Sequence, residues 1–249
     1  MLKLDFLKGE HYMKDKKYQI EYDLVAMNIF GIVYTILLCL GTYFLIKTPL
    51  GHKFGDINGD FILTFVIIFI LYLCWICLHE FIHGIFYCLG GTKWQNISFG
   101  VALEKGILFC KCCKPITKKN AMISLQAPFM LIGVITYIIS FFTGSYILLF
   151  LSIANINGAC GDIVVFNFFL HLPKDTMFKE IGDTSTFMLS TKEDLLKKKY
   201  FGIKKITLID EEPKEKNIKK IDISKKSIYI LLFLIIILVL DIILALFGE

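Results

Sequence analysis

Arginine is absent from the 249 residues; all 27 basic side chains are lysine. Mechanisms that need a guanidinium fork or an arginine finger are excluded with it. Histidine is scarce, with five in the chain, so any His pair at ligand spacing stands out. No internal repeat and no low-complexity tract is present. No cleavable signal peptide is expected, because 23 residues of mixed charge precede the first apolar run. No contiguous basic stripe exists either. The isoelectric point near 8.6 therefore reads as lysine gathered on one face of a membrane, and no nucleic-acid partner is expected.

What the chain has in surplus is apolar sequence. It is 56% hydrophobic and 20% charged, with a mean hydropathy of +0.66. These values are compatible only if the charges are segregated from long apolar runs, which excludes an ordinary water-soluble domain. A bilayer core of about 30 Å takes about 20 apolar residues as a helix. Five segments meet that length: 24–46, 61–89, 121–142 (with Pro128 as a kink), 146–172 and 228–247. Lysines in the connections number five in 1–23, one in 48–60, six in 90–120, none in 143–145 and fourteen in 173–227. High and low alternate, so the N-terminus is expected in the cytosol and the C-terminus outside. The excess of Lys, Ile and Asn without Arg fits an AT-rich bacterial genome, hence a bacterial cytoplasmic membrane.

The expected fold class is an all-α integral membrane protein of about five transmembrane helices, with a small cytosolic β-hairpin and a mixed polar cytosolic segment. Its expected units are a cytosolic N-terminal segment (1–23), a four-helix core with a hairpin at 96–113 (24–172), a Lys-rich cytosolic segment (173–227) and a C-terminal helix (228–249). Within 173–227, Ser190 and Glu193 have capping-box spacing before a short helix, and 203–209 alternates like a strand. Of the eight cysteines, Cys39, Cys74, Cys77 and Cys160 fall in apolar segments. Cys110, Cys112 and Cys113 crowd a Lys-bearing cytosolic loop, where reduced thiols are expected. They read as small residues in the hairpin core, with a second metal site as the alternative.

The chemistry concentrates in His79-Glu80-Phe81-Ile82-His83. On a helix, positions i and i+4 share a face, so both imidazoles reach one ion. Glu80 stands about 100° round the helix, placed to act as general base on a water at that ion without ligating it. The motif lies in a membrane helix, where ionisable groups are costly and by default functional. A catalytic zinc takes three protein ligands and keeps one position open. Candidates for the third are Asp162, Asn155, His171, Asp241 and the cysteine cluster. His79 lies 18 residues from the outer end of its span and Asp162 lies 16 from the outer end of its own, a depth difference of about 3 Å. Asp241 is roughly 10 Å away along the normal. Asp162 is therefore favoured. Asn155, seven residues earlier on the same face, is placed to hydrogen-bond a substrate backbone or oxyanion.

The motif HEFIHG, the later KPITKKNAMISLQAPFM and the run NGACGDIVVFNFFLHLPKD together resemble the zincin peptidase family of domain of unknown function 3267. That family is similar in layout to the site-2 intramembrane proteases. The resemblance covers roughly residues 60–190. It implies His79, His83 and Asp162 as zinc ligands, Glu80 as catalytic base, and the 96–113 hairpin as the counterpart of the site-2 protease hairpin. The stretch 158–161 lacks the proline that site-2 proteases carry there. The function expected is a membrane-embedded zinc metallopeptidase acting on a membrane protein or membrane-adjacent peptide. The competing expectation is a non-catalytic metal- or partner-binding membrane protein that keeps the HExxH scaffold. Membrane CAAX-type proteases are excluded, since their Glu-Glu-x-x-x-Arg motif needs an arginine.

Overall fold

A computed structural model describes residues 16–51, 54, 61–102, 107–181, 186–196, 199–210 and 220–221. The fifth span expected at 228–247, Asp241 within it, and the hairpin turn near Glu104 lie outside the described residues.

Helix α1 (Leu24–Ile46) starts where Asp23 accepts a hydrogen bond from the Ala26 N–H at 3.0 Å, an N-cap that satisfies one orphan donor. Its buried residues are only Gly31 and Thr42, while Ile29, Ile32, Ile36 and Leu37 are exposed. Helix α2 (Phe61–Leu89) carries the His79–His83 motif in its last third. Helix α3 (Lys118–Pro128), capped by Thr117, runs through a π-helical stretch (Phe129–Val134) into α4 (Ile135–Thr143). Gly144, at φ +70°, ends α4 in the left-handed conformation that glycine adopts without strain. Helices α5 (Tyr146–Gly158) and α6 (Cys160–Leu170) meet at a 45° bend.

Among the described residues, three helices are long and apolar enough to cross a membrane: Leu24–Ile46, Phe65–Leu89 and Lys118–Thr143. The bent α5–α6 pair makes a fourth if it is one span. Exposed apolar faces on such helices are solvated by acyl chains instead of water, which associates the protein with a membrane.

The all-α expectation is overturned. Among the described residues, eight strands form two sheets: β1 (Lys16–Tyr22), β2 (Ile97–Ala102), β3 (Ile107–Cys112), β4 (Ile116–Thr117), β5 (Met177–Glu180), β6 (Thr186–Thr191), β7 (Ile203–Ile209) and β8 (Lys220–Ile221). The antiparallel five-stranded sheet has the order β4-β5-β6-β1-β7, and the three-stranded sheet the order β3-β2-β8. The reason for the difference is non-local pairing. β1 lies in the N-terminal segment read as merely polar, and it pairs with β6 and β7 from the other end of the chain, Tyr18 opposite Leu189 and Leu208. Ser190 sits inside β6, so the expected capping box starts no helix. The strand expected at 203–209 is β7, and the expected hairpin is β2–β3.

The five-stranded sheet buries one face against the C-terminal half of α6. Phe168 and Phe169 meet Phe178 and Phe187, with ring centroids 5.2 Å apart for Phe169–Phe178 and 5.4 Å for Phe178–Phe187. Such aromatic pairs are edge-to-face or tilted and dominate the burial. This packing locks α6, which carries Asp162, to β5, which ends in Glu180. Gly84 in α2 serves a close approach: a Cβ there would stand 2.8 Å from the Phe99 ring of β2. Its absence lets the hairpin lie against α2, bringing the outer edge of β3 beside Glu80.

Candidate metal centre

His79 and His83 sit one turn apart on α2, with rings 4.9 Å apart. Each imidazole is oriented by its other nitrogen. His83 Nδ1 lies 2.9 Å from the Ser124 carbonyl, which can only accept, so Nδ1 carries the proton. Asn155 Nδ2 donates to the Pro128 carbonyl at 3.1 Å, which turns its Oδ1 toward His79 Nδ1 at 2.8 Å; that nitrogen donates as well. With Nδ1 protonated, the neutral form of each ring presents a bare Nε2 lone pair. Orienting hydrogen bonds of this kind are the usual companions of metal-binding histidines.

The two Nε2 atoms stand 3.2 Å apart. Asp162 Oδ2 is 3.1 Å from His79 Nε2 and 3.4 Å from His83 Nε2. Three electron-rich atoms thus face one point, an arrangement that is repulsive unless positive charge lies among them. With metal–ligand bonds of about 2.0–2.1 Å, tetrahedral zinc separates its ligand atoms by about 3.3 Å. The triangle fits that spacing on all three edges. A Glu80 carboxylate oxygen also lies within 4.8 Å of the imidazole ligand atoms, so the His-Glu-His group has the makeup to hold a metal ion.

The bend between α5 and α6 delivers Asp162. The segment 146–172, expected as one span, breaks at Ala159, and Asp162 falls in the first turn of α6. An anionic side chain is favoured at a helix N-terminus. Pro128 contributes in a way that its reading as a kink did not reveal. A proline has no N–H, so the carbonyl four residues earlier loses its helical donor. That carbonyl is Ser124, the one that holds His83. In return, the Ser124 hydroxyl donates to the His83 carbonyl at 3.0 Å.

Asn155, expected to contact substrate, has both ends of its amide on protein: His79 and Pro128. It is the device that orients His79. His171 is exposed, its Nδ1 donating to the Asn167 carbonyl, away from the centre. The cysteines form no metal-ligating group among the described residues. Burial pushes the thiols of Cys110 and Cys112 up, which opposes a thiolate role and fits hairpin packing.

A cavity of about 890 Å³ opens beside the triad, lined by His79, Glu80, Asp162, Tyr22, Leu108 and Glu180 among others. Glu180 is a site residue that sequence reasoning missed, because it lies in a polar segment without a motif. Burial pushes its carboxyl up to about 8, against the lowering effect of the Cys112 N–H and of nearby His83. On β3, the Cys110 N–H donates to Glu80 Oε2 at 2.6 Å and the Cys112 N–H to Glu180 Oε2 at 2.7 Å.

Residues 72–177 match the family model DUF3267, described as "Putative zincin peptidase". That segment runs from α2 to the start of β5 and includes His79, Glu80, His83, Asn155 and Asp162. No curated protein and no solved structure matches the chain.

Proposed function

We propose that this protein is a membrane-embedded zinc metallopeptidase that hydrolyses peptide bonds within or next to the bilayer. His79, His83 and Asp162 hold the ion, and Glu80 is the general base. One observation carries this reading: two imidazoles with their protons fixed on Nδ1 converge with a carboxylate oxygen at the ligand spacing of tetrahedral zinc. When bound, zinc supplies a Lewis acid that polarises a carbonyl and acidifies a water.

Glu80 takes the proton of the attacking water and returns it to the leaving amine nitrogen. In the resting structure its Oε2 rests on the Cys110 N–H, so it must leave that donor to act. Ser124 and Asn155 keep the rings facing the site while the proton moves. A helical substrate has its carbonyls engaged, so it must unwind before cleavage. The outer edge of β3 offers N–H groups that an extended backbone can pair with as an added strand.

The partners are membrane proteins or membrane-adjacent peptides as substrates, and the lipid bilayer itself. In the native cell, a Glu80→Gln variant should retain its zinc while a membrane-associated substrate accumulates uncleaved. Full biological activity in that variant would instead identify a non-catalytic metal- or partner-binding protein. The N-terminus lies in the cytosol and the C-terminus outside, in a bacterial cytoplasmic membrane, on the alternation of lysine counts. Reporter fusions at Asp56 and Lys216 should land on opposite sides of the membrane; a shared side would overturn this topology.

A further inference from the structure

The edge of β3 that faces the metal centre is occupied by the protein's own acids. β2 covers one side of β3, with Phe99 opposite Cys110 and Ile97 opposite Cys112. The Cys110 and Cys112 amides point to the other side, where no strand pairs among the described residues. Along an extended chain these two donors are about 6.6 Å apart, the interval at which an added strand offers successive carbonyls to one edge. Carboxylates stand at both places. Glu80 reaches Cys110 from α2, and Glu180 reaches Cys112 from the end of β5. The two acids come from elements with no pairing between them, yet both line the cavity beside His79 and Asp162.

We propose that Glu180 is a latch on the substrate edge, standing where one substrate carbonyl must bind and giving way to an extended peptide. The proposal rests on the metallopeptidase reading above. A first carbonyl takes the Cys110 N–H and releases Glu80 toward the metal face. A second, two residues along, takes the Cys112 N–H and displaces Glu180. Both exchanges require free carbonyls at strand spacing, which a helix does not present. The latch therefore selects unwound backbone and couples its docking to freeing the base. Glu180 acts as a positioning residue, because it contacts the edge and not the scissile bond.

The test uses the zinc-loaded full chain in detergent micelles and two probes. Acetohydroxamate reads the metal alone, and a hydroxamate-capped apolar tetrapeptide reads metal plus edge. Glu180→Ala should tighten the peptide probe by about 2- to 10-fold, the worth of one hydrogen bond no longer displaced. It should leave acetohydroxamate unchanged. Glu180→Leu, which fills the space without an acceptor, should behave as the Ala variant does. Glu180→Gln keeps an acceptor for Cys112 and should bind the peptide as wild type does. Zinc content of each variant reports whether the centre has survived. The latch is overturned if neither Ala nor Leu tightens the peptide probe, or if both probes shift together. If acetohydroxamate does not bind the zinc-loaded wild type, the metallopeptidase reading itself fails and the latch with it.

Discussion

Pro128 has no N–H to return to the Ser124 carbonyl, and that carbonyl is where His83 Nδ1 donates, at 2.9 Å. The acceptor that the helix ladder leaves free orients the His83 ring. One turn on, the Pro128 carbonyl itself accepts from Asn155 Nδ2, and Asn155 in turn holds His79. A single proline thus supports both imidazoles. The π-helical stretch that follows, Phe129–Val134, is where the ladder resets.

Pro128→Ala should restore an N–H that competes for the Ser124 carbonyl. Zinc affinity, measured by chelator competition, should fall by about 10- to 100-fold, as for other losses of a ligand-orienting partner. Helix content by circular dichroism should hold or rise. Unchanged affinity would show that the His83–Ser124 bond survives without the proline.

The ligand triangle sets a second expectation. Purified protein should carry about one zinc per chain, and His79→Ala, His83→Ala or Asp162→Ala should lose it. Asp162→His should partly restore binding, since imidazole also suits zinc. Cys112→Ala and Cys113→Ala should keep the metal. Zinc loss confined to the cysteine variants, measured by elemental analysis, would move the site to the hairpin.

Glu180 makes folding stability depend on pH with a defined sign. Its carboxyl is raised from 4.5 to about 8 in the fold, chiefly by burial. Below pH 4.5 it is protonated in both folded and unfolded chains. Between 4.5 and 8 the unfolded chain loses its proton and the folded one does not, so this stability is lost as pH rises toward 8. The groups acting on it are Glu80 and His83 from α2 and Lys111 and Cys112 from β3, with Tyr22 and Tyr87 also coupled to it. The thermal unfolding midpoint of Glu180→Gln should fall less steeply than that of wild type across this window. Parallel profiles for the two proteins would contradict the burial of Glu180.

The residues proposed to hold the metal and to act on its water were legible because each carries a local or periodic signal. His79, Glu80 and His83 are spaced for one helix face, and Asp162 matched their depth through the fixed rise of a helix. The three helices long and apolar enough to cross a membrane were legible for the same reason: a bilayer imposes a length on apolar runs. The orienting partners were not. Nothing in the run KPITKKNAMISLQAPFM says that the carbonyl freed by Pro128 meets a histidine 41 residues away, because main-chain acceptors have no side-chain signature. The sheet was also hidden. Tyr18 and Ile20 are fully buried, but a seven-residue strand shows too few alternations to stand out, and its partners lie more than 160 residues away. The amino-acid sequence by itself determined the long apolar helices of the described residues, the paired imidazoles and the kind of ion they suit, because these follow from short-range geometry. Only the tertiary structure decided that Asn155 faces His79, that Glu180 reaches the edge of β3, and that a sheet clamps α6, because each depends on how distant segments bury apolar surface together.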